Sequence, residues 1–183
     1  MSYEDLAATA ASVPPGAEWL LFLPYLRGVR LPHRDAARGS FFGLTTGQTT
    51  AHMTCAVVEG GVFSMKGALE LITSCGVAIQ EVRATGGARS ALWCQMQADI
   101  FELPVRRLVA AEGPANGVAL LAGVASGIYR DIDEACRQVR LQDAVIEPDP
   151  QRVSVYRAYY DVYRSLYPAT HSLMQRLAAL AAG

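Results

Sequence analysis

Residues 81–101 read Glu81-Val82-Arg83-Ala84-Thr85-Gly86-Gly87-Ala88-Arg89-Ser90-Ala91-Leu92-Trp93-Cys94-Gln95-Met96-Gln97-Ala98-Asp99-Ile100-Phe101. The first five residues have strand character, two glycines follow, and Ser90 opens a helix over 91–101 with Leu92, Trp93, Met96 and Ile100 as its apolar stripe. A strand that turns through glycines into a helix start lets the backbone approach a ligand closely, because glycine reaches positive φ and carries no β-carbon. The free N–H groups of the helix start, with its dipole, favour a phosphate or a polar edge of a nucleotide. Taken alone, the stretch fits a plain tight turn as well, because neither Gly-x-x-x-x-Gly-Lys nor Gly-x-Gly-x-x-Gly is present.

Working outward, Leu103 to Val109 reads as a second strand, and Glu112-Gly113-Pro114 turns into a small-residue helix, Ala115 to Ser126. Asp131 with Glu134 three residues later is a capping box for a short helix. Asp143 to Ile146 is a short strand or an extended link. Pro148 and Pro150 lead into a long final helix from about Gln151, with Tyr156, Tyr160, Tyr163 and Tyr167 on one face; Pro168 is expected to kink or restart it. Upstream, a helix over 3–12 is cut off by Val13-Pro14-Pro15-Gly16. Trp19 to Tyr25 is an apolar run of strand length, residues 27–38 are irregular and basic, and Gly39 to Leu44 reads as a short strand.

A long helix is expected from Thr50 to Ser74. Ala51, Cys55, Val58, Val62, Met65, Leu69 and Ile72 recur at spacings of four and three, which places them on one face. Gly60, Gly61 and Gly67 lie inside it and point to close packing against another backbone; Gly76 ends it. Helices alternating with short strands indicate an α/β domain spanning residues 1–183. The first strands are few for a complete sheet, which suggests a chain that starts partway through a domain.

Composition narrows the function. Sixteen basic residues against seventeen acidic give a net charge of −1, which excludes a polycationic nucleic-acid arm and an acidic tail. Hydrophobic residues make up 51% of the 183 and charged residues 18%. Such a chain buries a core and leaves apolar surface for a partner. Cys55, Cys75, Cys94 and Cys136 are far apart, as are His33, His52 and His171, so no zinc site is expected, and scattered buried thiols fit a cytoplasmic protein. The N-terminus lacks a signal-peptide pattern, and the longest weakly polar run, Gly117 to Tyr129, is too short for a bilayer, which takes about 20 residues. Arg27, Arg30, Arg34 and Arg38, with His33, suit either phosphate or sugar, or the acids of a neighbouring domain. His52, beside the apolar stripe, and the tyrosine stripe read as structural. No catalytic triad or carboxylate pair is evident.

Four stretches together resemble the C-terminal lobe of FGGY-type carbohydrate kinases, nearest to the branch that phosphorylates D-xylulose. They are Phe22-Leu23-Pro24-Tyr25-Leu26-Arg27-Gly28-Val29-Arg30-Leu31-Pro32-His33; Gly39-Ser40-Phe41-Phe42-Gly43-Leu44 followed by His52-Met53-Thr54-Cys55-Ala56-Val57-Val58-Glu59; Thr85 to Trp93 with Gln95, Ala98 and Asp99; and Glu112 to Ala122. The second is the most specific. The closing tyrosine-rich helix is similar to the family's C-terminus.

The resemblance implies a partial actin-like, ribonuclease-H-like ATPase lobe, a mixed sheet with flanking helices. In that family two lobes close over a sugar and Mg-ATP, and the γ-phosphoryl passes to a sugar hydroxyl. Position-matching puts the adenosine of ATP against Gly86, Gly87 and Ala88, with Ala91 nearby; no catalytic and no metal ligand falls in this chain. The implied partners are ATP with Mg2+, a ketose sugar, the N-terminal kinase lobe and a second copy of the chain, with neither nucleic acid nor membrane.

Departures bear on this. Thr85 stands where the family usually has the first of three glycines, so a β-carbon enters the loop. Val29 and Leu31 replace the usual Glu and Thr around Arg30, and the link from His33 to Arg38 is shorter than usual. The family's aspartate base and sugar-binding residues belong to the N-terminal lobe, so no kinase activity is expected from these residues alone. The second reading is a catalytically inactive nucleotide-binding or interaction remnant of such a kinase.

Overall fold

Two small sheets flank two long helices. The computed structural model describes residues 3–28, 37–86, 90–109 and 113–180. In chain order the elements are α1 (Tyr3–Ala11), β1 (Leu21–Leu23), β2 (Ser40–Phe42), α2 (Thr50–Ser74), β3 (Val82–Ala84), α3 (Ala91–Phe101), β4 (Val105–Leu108), α4 (Gly113–Ala125), α5 (Ile132–Cys136), β5 (Leu141–Ile146) and α6 (Pro150–Leu180). β1 and β2 pair antiparallel. β3, β4 and β5 form a mixed sheet, parallel between β3 and β4 and antiparallel between β4 and β5. The α/β expectation holds. The expected capping box of the short helix forms by half: Asp131 Oδ1 accepts from Glu134 N at 2.8 Å, but Glu134 Oε2 accepts from Arg130 N at 2.8 Å, one residue before the N-cap.

The core joins α2, α6 and β1. Phe63 of α2 sits among Tyr156, Tyr160 and Tyr163 of α6, with ring centroids 6.0, 5.8 and 5.2 Å away. Each of these buried tyrosines also needs a polar partner for its hydroxyl. Tyr156 donates to Glu59 Oε1 at 3.0 Å, Tyr160 to Glu70 Oε2 at 2.9 Å and Tyr163 to the Gly60 carbonyl at 3.4 Å. The tyrosine face therefore seals one helix onto the other. Gly60 makes the close backbone approach expected of the helix glycines: a β-carbon there would overlap the Phe22 carbonyl oxygen of β1.

Four expectations are corrected. The strand at Trp19 to Tyr25 shortens to Leu21–Leu23, because Ala17, Glu18 and Trp19 form a turn with φ of 46°, 50° and 73°. Gln48 Nε2 donates to the Glu18 carbonyl, and Tyr159 Oη accepts from Trp19 N, which fixes that turn. The buried face of α2 is Cys55, Ala56, Glu59, Gly60, Val62 and Phe63: Cys55 and Val62 of the predicted stripe are buried and Val58 and Leu69 pack against the core, but Met65 and Ile72 are exposed. α6 runs through Pro168 without restarting, because Leu166, Tyr167 and Met174 on either side of it bury against the same core. That packing outweighs the lost helix hydrogen bond, about 3 kcal/mol. Finally, only Cys55 and Cys94 are buried; Cys75 and Cys136, at the ends of α2 and α5, are exposed, and none of the four is in a disulfide.

Candidate nucleotide site

The bend after β3 begins where the parallel pair ends. β3 and β4 run parallel, so the chain leaving Ala84 and the chain leaving Leu108 emerge on the same side, at the carboxyl ends of the strands. Ligand crevices of open α/β sheets form there. Thr85 and Gly86 follow β3 directly, and Gly86 has φ of 68°, the left-handed region that glycine enters freely. A β-carbon on Gly86 would meet nothing within 4 Å among the described residues. Ser90 then caps α3, its hydroxyl accepting from Trp93 N at 3.5 Å. The first N–H groups of α3 lack partners within the helix and are donors for an acceptor brought to the bend.

Thr85 does not simply crowd this bend. Its side chain lies over Gly113, the first residue of α4; a β-carbon on Gly113 would collide with Thr85 Oγ1 and come 2.8 Å from Thr85 Cβ. The loops after β3 and β4 thus touch through one side chain and one bare α-carbon.

A cavity of about 860 Å³ opens beside the bend, between α1, β2, α2, β3 and α3. Thr85, Ser90 and Gln97 line it on the loop side, and Met53, Val57 and Met65 form an apolar wall on α2. Those three α2 side chains are exposed. The helix is therefore apolar on two faces: one meets the core, and the other meets the cavity. Among the described residues no Asp or Glu lines the cavity. Gln97 is 4% exposed, and its Oε1 has no hydrogen-bond partner among the described residues. Sequence reading missed it, because Gln97 falls outside the apolar stripe of α3 and its amide has no spacing signature.

Other expected site residues are placed as follows. Gly86 lies at the bend and Ala91 is exposed at the start of α3. Gly87 and Ala88 lie outside the described residues, as do Arg30, His33 and Arg34 of the basic stretch. Arg27 is exposed. Asp99 and Gln95, carried in the same resemblance motif, face away from the bend: Asp99 Oδ1 accepts from Gln95 Nε2 at 2.8 Å and from Asp149 N at 2.9 Å, and its Oδ2 pairs with Arg152 Nε at 3.0 Å. They fasten the start of α6. Burial pushes the Asp99 carboxyl up, and the hydrogen bonds and Arg152 pull it back. His52 is structural, as expected: it stands at the third position of α2, its Nδ1 accepts from Thr49 N at 3.1 Å, and its Nε2 lies 3.2 Å from Glu18. No helix among the described residues is long and apolar enough to cross a membrane.

Comparison with known proteins extends this geometry. Residues 2–126 match the FGGY family of carbohydrate kinases, C-terminal domain. A xylulose kinase from Staphylococcus epidermidis is 38% identical over 174 residues, which is 94% of this chain and 35% of that protein. The crystal structure of a ligand-bound xylulose kinase from Lactobacillus acidophilus superposes with a TM-score of 0.87 at 29% identity, over 96% of this chain and 36% of that one. A gluconate kinase from the same organism gives 0.86 at 29% identity over the same shares. The chain spans about 35% of the length of the relatives it matches. The mixed sheet with flanking helices is accordingly part of an actin-like ATPase fold. By the family match and the near-complete coverage of this chain, it belongs to the FGGY family of carbohydrate kinases and corresponds to their C-terminal domain.

Proposed function

We propose that this chain is the ATP-binding C-terminal lobe of a cytoplasmic sugar kinase whose substrate is D-xylulose, phosphorylated at its terminal hydroxyl. The observation that carries the reading is the bend at Gly86: a glycine at positive φ, with nothing among the described residues within 4 Å of where a β-carbon would stand, between the carboxyl end of β3 and the capped start of α3. Its residues fit an adenine nucleotide, because a flat polar ring needs a loop without a β-carbon in its path and N–H donors beside it. In this reading Gly86, Gly87 and Ala88 meet the adenosine, with Ala91 beside them.

ATP supplies the γ-phosphoryl group and Mg2+ shields its charge; the lobe's own residues bind and orient the nucleotide. Among the described residues no three His, Cys, Asp or Glu side chains converge on one point, and none of those lining the cavity is a carboxylate; in this reading the nucleotide's phosphates would carry the Mg2+. The general base that takes the sugar's proton is assigned to the N-terminal lobe, for which the apolar wall of Met53, Val57 and Met65 is a seat. D-xylulose is favoured because relatives named xylulose kinase match over nearly the whole chain. The four cysteines, none in a disulfide, suit a reducing compartment.

Titration of the purified chain with a fluorescent ADP analogue and Mg2+ tests the reading. Saturable binding that unlabelled ADP competes away is the expected result. Thr85, in place of a glycine, favours the second reading, a remnant without a working nucleotide site. The absence of binding up to millimolar ADP would establish that remnant instead.

A further inference from the structure

We infer that Thr85 is a positioning residue, which holds the bend after β3 against the start of α4 and so presents Gly86 to the nucleotide. The inference rests on the nucleotide reading above. Its basis is the fit between two positions 28 apart in sequence. A β-carbon on Gly113 would come 2.5 Å from Thr85 Cγ2 and 2.8 Å from Thr85 Cβ, and would overlap Thr85 Oγ1. All three heavy atoms of the threonine side chain thus occupy the space that a β-carbon at 113 would need. Real β-carbons do not approach other atoms so closely, so Thr85 and a side chain at 113 exclude each other.

The two sides of the bend differ. Behind, the Thr85 side chain, itself exposed, abuts Gly113 of α4. In front, a β-carbon on Gly86 would find nothing within 4 Å among the described residues. Gly86 follows Thr85 directly and holds a left-handed φ of 68°, so the contact at Thr85 fixes the point from which the glycine turns. A glycine at 85 would leave the back of the bend unfilled, and the loop would sample more backbone states before nucleotide arrives. A threonine limits those states, because its branched side chain has few rotamers and is already seated. Thr85 therefore acts through Gly86 and not by touching the ligand, and the β-carbon that departs from the family pattern stiffens the site.

A reciprocal pair of substitutions tests this in the full chain. Thr85→Gly, Gly113→Ala and the double variant are compared with the parent by affinity for the fluorescent ADP analogue and by thermal midpoint. Gly113→Ala is expected to weaken binding about tenfold, the loss that one displaced packing contact of ordinary size produces. Thr85→Gly is expected to weaken it about threefold by loosening the bend. In the double variant the added β-carbon has room, so affinity returns to within about twofold of Thr85→Gly alone. Equal losses from Gly113→Ala in the two backgrounds would overturn the inference, as would Thr85→Gly binding more tightly than the parent. If the parent binds no nucleotide, the functional reading fails. The contact is then judged by the thermal midpoint, which Gly113→Ala must lower only when Thr85 is present.

Discussion

Tyr156 of α6 donates a 3.0 Å hydrogen bond to Glu59 Oε1 of α2, and the same oxygen accepts from Gly16 N at 2.9 Å. One carboxyl oxygen thereby ties together the long helix, the last helix and the turn before β1. Cys55 Sγ, 3.6 Å away, adds a weaker contact. Glu59 is 1% exposed, and its Oε2 has no partner among the described residues.

That geometry fixes a pH dependence. Burial raises the Glu59 carboxyl to about 7, while its hydrogen bonds and Arg152 pull the other way. A folded value above the unfolded one of 4.5 means that the folded state holds the proton more tightly. The stabilisation is complete below about pH 4.5 and is lost as pH rises through about 7. Glu59→Gln keeps an acceptor for Tyr156 and cannot ionise. Thermal melts between pH 5 and 8 should show the parent losing about 3 kcal/mol relative to Glu59→Gln across this range. Parallel curves for the two proteins would refute the assignment.

Two glycines of α2 should respond to alanine with opposite signs. Gly60→Ala drives a β-carbon into the Phe22 carbonyl, a backbone atom that moves only if β1 moves. The expected cost is about 3 kcal/mol, a fall in thermal midpoint of roughly 6–12 °C for a chain of this size. At Gly67 the nearest atom, Tyr160 Oη, stands 3.6 Å away. Gly67→Ala should stabilise by up to about 1 kcal/mol, the difference in helix propensity. A stable Gly60→Ala variant would show that the helix does not rest on β1.

The Asp99–Arg152 pair should prove structural. Removing the guanidinium with Arg152→Met leaves a carboxylate of zero exposure without its cation. Because the Arg152 side chain is 31% exposed, the expected loss is discounted to about 2–3 kcal/mol. Burial already raises Asp99, and losing Arg152 raises it further, so the deficit should grow as pH rises above the ordinary carboxylate range. Nucleotide affinity should be unchanged in the same variant, since the pair sits at the start of α6. Loss of binding without loss of stability would return Asp99 to the site.

Most of the fold was legible because its signals are local. Thr50 to Ser74 was bounded by its periodicity and by Gly76, which does end it at φ of 86°, whereas the Thr49–His52 cap at its start emerged only from the structure. The orientation of that helix was legible only in part. Its apolar spacing picked out Cys55 and Val62 of the buried face but not Glu59 and Gly60, which are buried because Tyr156 and Gly16 satisfy the carboxyl and Phe22 needs the glycine. Partners so distant in sequence leave no periodic trace. The same holds at the bend: Thr85 is conspicuous as a departure, but its meaning depends on Gly113, 28 residues later. Gln97 and the apolar wall of the cavity became visible only when α1, α2 and α3 were set around it.

Hydrogen exchange of the full chain with and without Mg-ADP asks where a nucleotide sits. Slowed exchange confined to peptides covering Val82–Leu92 and the first turn of α4 is the expected outcome. Protection that falls elsewhere, or none at saturating ADP, would contradict a nucleotide site at Gly86.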